Sequence, residues 1–383
     1  MGTNLLEIKN RNRTLITMSA GMSMEAWNRA GIIHRELAYY KELSKHIGPL
    51  SFISYGDNYH SEVQLLKQNI PDAHIVWTRS SLFTQIPSGL FLTSFLPPLR
   101  YKSFSQIKRI RTNQISGAWT GAIIAKQLKV PFIMRAGYVL SKHIDHVSTI
   151  KQHIIKYLEK MTVKKSDAMI VTYAGAKSFF VQKYGVNYKK IWIIGNPIDT
   201  NLFSPSAPSG KKRDVLFIGR FTEQKNIPAI LFACHKAKVS ITLLGRGQLK
   251  KKMTELAESL KMDVQFIDFM PNEQIPQLIN NHRLFMIASL FEGNPKVLLE
   301  AMSCEMPCIA SNIPEHLDVI KHEKEGIIVQ STPDALANAI RNILHAPSFA
   351  RKLGENARRK ILKEYTLKGN ALKESLLHES ISQ

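Results

Sequence analysis

Short apolar runs alternate with longer helical patterns along most of the chain, and that alternation is the feature that most constrains its fold. In the first half the runs RTLITMSA (13–20), LSFISYG (50–56), AHIVWT (73–78), VPFIMR (130–135) and DAMIVTY (167–173) are expected to be buried strands. In the second half the corresponding runs are VLFIGR, ITLLGRG, VQFIDF, RLFMIAS, PCIASNI and GIIVQ. Strands that are apolar throughout are buried on both faces, and helices between them supply the crossovers, so the class is α/β with parallel sheets. The stretch GNPIDTNLFSPSAPSGKKRD (195–214) is rich in Pro, Ser and Gly between two strand patterns, as a linker is. The expected architecture is two Rossmann-like, doubly wound domains facing a central cleft. Residues 1–197 would form the first domain and 198–360 the second. Residues 361–383 would form a polar helical tail, with the first domain as a surface for it to pack back on. A chain of 383 residues is long enough for two such cores.

Composition narrows the partners. The formal charge is +22, and no acidic residue occurs between Asp72 and Asp145. That interval holds Arg79, Arg100, Lys102, Lys108, Arg109, Arg111, Lys126, Lys129, Arg135 and Lys142. A positive field of this size favours nucleic acid, phosphorylated substrates or an anionic leaflet. Within it, SSLFTQIPSGLFLTSFLPPLRYKSFSQIKRIR pairs an apolar, proline-interrupted loop with a basic amphipathic segment, the pattern of an interfacial membrane contact. A nucleic-acid partner is not expected, because the aromatics are not interleaved with Lys and Arg as a stacking platform requires. Only Cys234, Cys304 and Cys308 are present, without a second Cys/His pair at ligand spacing, so neither a disulfide framework nor a zinc site is expected. Among the 13 histidines, His34, His143 and His146 fall near candidate loops but form no ligand set. The first residues carry no signal-peptide pattern and no run is long enough to span a bilayer, so a cytoplasmic protein, soluble or peripheral, is expected.

The chemistry concentrates in the second half. VLFIGRFTEQKN ends a strand at Gly219 and follows it with Arg220 and Lys225 before a helix start near 226–228. Two cations and free helix-start amides suit a diphosphate. FEGNPKVLLE (291–300) sets Glu292 and Glu300 eight residues apart around Gly293, Asn294 and Pro295. Proline suits a first helical turn, where its missing N–H is not needed, leaving the amides of Gly293 and Asn294 to face an anion. Glu300 falls more than a turn inside that helix, where an ionised carboxylate can accept both hydrogen bonds of a ribose diol. Glu292 stays in the loop, nearer the reacting end. A glycosidase carboxylate pair fits less well, since one member would be spent on a helix body.

The run GRFTEQKN, then SLFEGNPKVLLEAMSCEMPCIASNIPEHLDVI, then EGIIV, resembles the C-terminal half of family 4 of the retaining, nucleotide-sugar-dependent glycosyltransferases, which have the GT-B fold. GNPIDTNLFSP resembles that family's linker motif, with Pro197 where the family has glycine. The resemblance is strong over 167–364 and weak before it. It implies that Arg220 and Lys225 bind the donor diphosphate, Glu300 the ribose and Glu292 the donor sugar. Gly219, Gly293, Asn294 and Pro295 would line the phosphates and sugar, with Lys296 beside them, and the base would lie near Phe269, Met270 and Pro271. It implies no essential metal and a donor carrying UDP or GDP, and no DxD motif occurs. Arg220 and Lys225 would neutralise the leaving diphosphate, and transfer would proceed with retention by front-face attack.

In the first half, the resemblance directs attention to SAGMSMEAWNRAG, with Gly21 at the turn and Trp27 and Asn28 as lining candidates. Many family members carry a histidine at a strand end facing the donor; here PFIMRAGYV offers Arg135 instead. Arg135 and Tyr138 are therefore candidates for an acceptor phosphate or sugar, as alternatives to a structural salt bridge, and Asn113 would join the same edge. The implied function is transfer of a sugar to a saccharide or lipid-linked acceptor in cell-envelope polysaccharide or glycolipid synthesis, at the inner face of the cell membrane. A GT-B epimerase or phosphorylase, and a non-catalytic basic membrane-binding relative, are the alternatives.

Overall fold

The computed structural model describes residues 13–77, 95, 106–142, 144, 148–210 and 212–381. Two compact units divide the chain: Met1–Gly195 with Asn370–Gln383, and Asn196–Gly369.

Among the described residues the first unit has seven strands: β1 (Arg13–Thr17), β2 (Leu50–Ile53), β3 (His74–Trp77), β4 (Ile107–Thr112), β5 (Phe132–Ala136), β6 (Ala168–Val171) and β7 (Ile191–Ile193). They run parallel in the order β3-β2-β1-β4-β5-β6-β7. β1, β2, β5 and β6 are buried at every position, as expected for apolar runs covered by helices on both faces. β4 corrects the sequence reading. Its segment IKRIRT belonged to a basic amphipathic stretch expected at a membrane surface, yet it pairs with β1 and β5 in the middle of the sheet. Its cations do not forbid this: Lys108 is exposed, and Arg111 is fully buried only because Glu374 neutralises it. Most of the remainder of that stretch, with Arg100 and Lys102, lies outside the described residues, as do Arg79, His143 and His146.

The helix Leu367–Ser380 carries that carboxylate. Arg111 Nε and Nη2 donate to Glu374 Oε1 and Oε2 at 2.8 and 3.1 Å, a bidentate pair with both side chains essentially inaccessible. Tyr39 Oη donates to the same carboxylate at 2.7 Å, and Arg111 Nη1 donates to Tyr40 Oη at 2.7 Å. Burial alone would raise the Glu374 carboxyl, but the Arg111 guanidinium overrides it and holds the group well below the usual carboxylate range. Asn370 Nδ2 donates to Gly195 O at 3.1 Å at the beginning of the same helical segment.

The described residues of the second unit form six parallel strands: β8 (Arg213–Ile218), β9 (Ile241–Leu244), β10 (Val264–Ile267), β11 (His282–Ile287), β12 (Cys308–Ser311) and β13 (Ile327–Val329). Their order is β10-β9-β8-β11-β12-β13. One core lies on each face of the sheet: Phe217, Ile230 and Leu336 in one cluster, Phe285, Leu298 and Ile361 in the other. In both sheets the strand order reverses beside the first strand. The crevice outside the carboxyl ends at such a reversal is where open α/β sheets bind ligands. It falls between β1 and β4 in the first unit, and between β8 and β11 in the second.

Candidate active site

The loops after β8 and β11 carry the two motifs singled out in the sequence, so the topology brings them together at the second reversal. Close approach of the strand ends is enforced by glycine. A Cβ on Gly245, whose φ is +148°, would fall 1.9 Å from the Gly219 carbonyl oxygen. Gly219 N in turn donates to Leu244 O at 2.9 Å. Two hydrogen bonds clamp the motif loops to one another: Gln224 Nε2 to Phe291 O at 2.8 Å, and Leu290 N to Gln224 O at 2.9 Å.

Lys225 ends a short 3-10 turn, Glu223–Lys225, and its ammonium donates to Glu292 Oε1. Glu292 is 8% exposed and also accepts from Ser289 Oγ at 2.7 Å. Behind it, Ser311 Oγ donates to Ser289 O at 2.6 Å, and His316 Nδ1 donates to Ser311 O at 2.9 Å. His316 is fully buried, and desolvation lowers it to about 4 against the opposing pull of its Ser311 hydrogen bond and of Glu292. The ring is therefore neutral at pH 7, with its proton on Nδ1. Arg220 stands exposed at the end of β8, one residue beyond Gly219. Arg246, after β9, is a further exposed cation at this edge, and its guanidinium lies 5.5 Å from the Phe269 ring centroid.

The helix Lys296–Ser303 begins one residue later than expected. Pro295 sits at its N-cap with ψ 86°, outside the helix, and its carbonyl accepts the first helical hydrogen bond from Leu299 N at 3.2 Å. Lys296 is the first helical residue and half-buried, and Gly293 is half-buried in the loop. Asn294 holds the linker: its Oδ1 and backbone O accept from Asn196 N and Nδ2 at 2.8 and 2.9 Å. Glu300 is the fifth residue of the helix and only 1% exposed. Burial, then the nearby Glu300 charge, push the Cys304 thiol up to about 12. Phe269 is 45% exposed beyond the end of β10, whereas Met270 packs onto the core.

The sequence candidates of the first unit cluster at its own reversal. Gly21 takes a left-handed φ of 79° after β1, and Asn113 follows β4, its Oδ1 accepting from Tyr40 Oη at 2.6 Å. Gly117 brings these loops together, since at φ +85° a Cβ there would meet Ala20 N at 2.8 Å. Arg135 is only 5% exposed, and its guanidinium faces Arg111, Tyr39, Glu374 and Tyr40. Desolvation and then Arg111 pull it down from the usual arginine value. Tyr138 is half-buried, and burial raises its hydroxyl. Trp27 corrects the sequence reading: it is 3% exposed in the core, so it lines no open surface, while Asn28 is exposed. Bulk and helical phase drive the indole inward, because Met24 and Trp27 form the buried face of the helix Met24–Arg29.

Sequence reasoning missed Arg246, Ser289, Ser311 and His316. Arg246 had a signal in the glycine-flanked end of ITLLGRG; the serines and histidine meet only through strand pairing. Among the described residues no group of three or more His, Cys, Asp or Glu could hold a metal ion. A 1120 Å³ concavity opens instead at the amino edge of the second sheet, beside Arg213, Asp214 and Asp263. Its guanidiniums are already bound, Arg213 to Asp263 at 2.8 Å and Arg283 to Asp214 at 3.1 Å, so the chemistry belongs to the carboxyl edge.

Known proteins bear on this arrangement. Residues 199–360 match the family described as Glycosyl transferases group 1, so the second unit carries a domain of that family. Two Rossmann-like parallel-sheet domains make the fold GT-B. The sucrose-phosphate synthase of Thermosynechococcus elongatus superposes with a TM-score of 0.78 at 19% identity, covering 97% of this chain and 99% of that one. Anabaena HepE, solved in complex with UDP, gives 0.74 at 17% identity over 96% and 100% of the chains. In sequence, an Escherichia coli UDP-Gal:alpha-D-GlcNAc-diphosphoundecaprenol alpha-1,3-galactosyltransferase is 24% identical, covering 67% of this chain and 71% of its own. The alpha-maltose-1-phosphate synthase of Mycolicibacterium smegmatis is 22% identical over 56% of this chain and 63% of its own length.

Proposed function

We propose that the chain is a retaining glycosyltransferase of family 4 that moves a sugar from a nucleoside-diphosphate sugar to a saccharide or lipid-linked acceptor of the cell envelope. The observation that carries this reading is the meeting of Lys225, Glu292 and Ser289 at the β8/β11 reversal, with Arg220 beside them and Glu300 one helical turn in. UDP is the favoured nucleotide, since HepE was solved with UDP and UDP-glucose and the E. coli relative uses UDP-Gal.

The groups have separable tasks. Glu300 accepts from the ribose hydroxyls. Arg220 and Lys225 take the diphosphate, whose charge grows as the bond from the anomeric carbon to the phosphate oxygen breaks and its electron pair moves to that oxygen. The acceptor hydroxyl forms the new bond on the same face, and its proton passes to the leaving phosphate oxygen. Atoms and charge then balance without a protein base. Lys225 is held by Glu292; a diphosphate that draws the ammonium away makes the carboxylate available to a sugar hydroxyl. His316, neutral and buried, fixes Ser311 and through it the Ser289 that orients Glu292. No metal is required by this scheme. The proposed place of work is the inner face of the cell membrane, where a lipid-linked acceptor is available. Isotope-labelled UDP-glucose, UDP-galactose and their N-acetyl analogues, incubated with lipid-linked acceptors, test the reading. Transfer with an α-configured product supports it, and a Glu300→Ala variant with unchanged donor affinity and turnover would sink it.

A further inference from the structure

The helix Thr149–Lys165 in the first unit exposes what soluble helices hide. Its inner face, Leu158, Glu159, Thr162 and Val163, packs toward the neighbouring helices Ala118–Leu128 and Ala174–Tyr184. Its outer face carries Ile150, Ile154 and Tyr157, which are 75%, 43% and 68% exposed. Their spacing, four residues and then three, makes one continuous apolar stripe on solvent. Lys151, Lys156, Lys160, Lys164 and Lys165 are exposed along the same helix. The helix has one acid, Glu159, and it is 1% exposed, accepting from Ser141 N at 2.8 Å and Tyr184 Oη at 2.5 Å. The outward surface is therefore apolar and cationic, with no exposed carboxylate anywhere on the helix.

We propose that this helix is a docking surface for an anionic lipid bilayer, lying in the headgroup plane with Ile150, Ile154 and Tyr157 inserted and the lysines on lipid phosphates. The combination of a polar-flanked apolar stripe and a one-signed charge is what binds an interface rather than spans it. Among the described residues no helix is long and apolar enough to cross a membrane. Charge selects lipid over a second copy of the chain, since two such faces would bring five lysines against five with no carboxylate between them. The direction of the helix suits the role. It follows β5 and precedes β6, so its amino end, with Ile150 and Ile154, starts on the carboxyl side of the sheet, the side that holds Gly21 and Asn113. The inference rests on the proposed use of a membrane-borne acceptor only for its purpose; the surface itself is physical.

Sedimentation with phosphatidylglycerol/phosphatidylcholine vesicles tests it on the full chain. The wild type should bind these vesicles, weaken as salt rises, and bind pure phosphatidylcholine poorly. Joint replacement I150S/I154S/Y157S should weaken binding at least about tenfold, and K151E/K156E/K160E should remove its salt dependence. In the single variant Y157W the new indole's emission should shift to the blue on anionic vesicles, which no global misfolding would mimic. Wild-type binding in the triple serine variant would overturn the proposal. So would a halved solution mass in that variant with vesicle binding intact, because the stripe would then be a dimer contact. UDP binding is read separately: a protein that docks on vesicles but binds no nucleotide contradicts the proposed activity and leaves the docking surface standing.

Discussion

The two carboxyl-edge regions hold a comparable charged pair and use it in opposite ways. In the first unit Arg111 and Glu374 are both about fully buried, bidentate, and surrounded by Tyr39 and Tyr40. In the second, Lys225 meets Glu292 through one oxygen, with side chains 14% and 9% exposed and the exposed Arg220 alongside. A buried pair whose every nitrogen and oxygen already has a partner offers little to a ligand and serves to fix a helix to a sheet. A pair with spare hydrogen-bonding capacity at a strand-order reversal can trade its partner for substrate. The residue types do not distinguish the two cases; satisfaction and access do.

The largest effect should come from opening the closed pair. Glu374→Ala leaves Arg111 as an uncompensated buried charge and should destabilise the first unit by about 3–5 kcal/mol. Tryptophan fluorescence isolates that effect, because Trp27, Trp77, Trp119 and Trp192 all belong to the first unit. The wild-type pair also has a pH signature. Its carboxyl is depressed in the fold, so its stabilisation is intact above the ordinary glutamate value of 4.5 and is lost as the pH falls below it.

Breaking the open pair should instead cost turnover. Lys225→Ala should lower kcat by about 10²–10³-fold, the scale seen for removing one group that stabilises developing charge, while its unfolding midpoint changes little. Equal losses of stability in the two variants would erase the contrast between the regions.

His316 sharpens it further. The folded ring titrates near 4 against 6.5 when unfolded, so the unfolded chain binds the extra proton first and stability falls as pH drops from 6.5 to 4. That interval is worth about 3 kcal/mol, and His316→Gln should flatten the acid limb of the urea midpoint, followed by circular dichroism, by that amount. Smallest is Phe269→Ala, which should weaken nucleotide binding by about 1 kcal/mol without touching the fold, measured by calorimetric titration.

Much of this was legible in the chain. Eleven of the thirteen strands among the described residues coincide with apolar runs. The two that do not are instructive. IKRIRT alternates cations with isoleucine and takes its central place because Glu374, 263 residues away, neutralises Arg111. β7 is three residues long, too short for periodicity to register. In the second unit GRFTEQKN and FEGNPKVLLE were readable because each begins where a strand ends, and strand ends at a reversal are where chemistry collects. The support behind them was not readable: Ser289, Ser311 and His316 become neighbours only when β11 pairs with β12. Trp27 failed for a simpler reason, since an aromatic beside a candidate loop is more strongly drawn to the core than to the surface.

The most direct measurement is the thermal stabilisation of the protein by UDP, for wild type, Glu300→Gln and Lys225→Ala in parallel. At a hundredfold its dissociation constant UDP should stabilise the wild type by about 2.7 kcal/mol. At the same concentration both variants should retain only a small part of that shift. An equal shift in all three proteins would contradict a nucleotide site at the β8/β11 reversal.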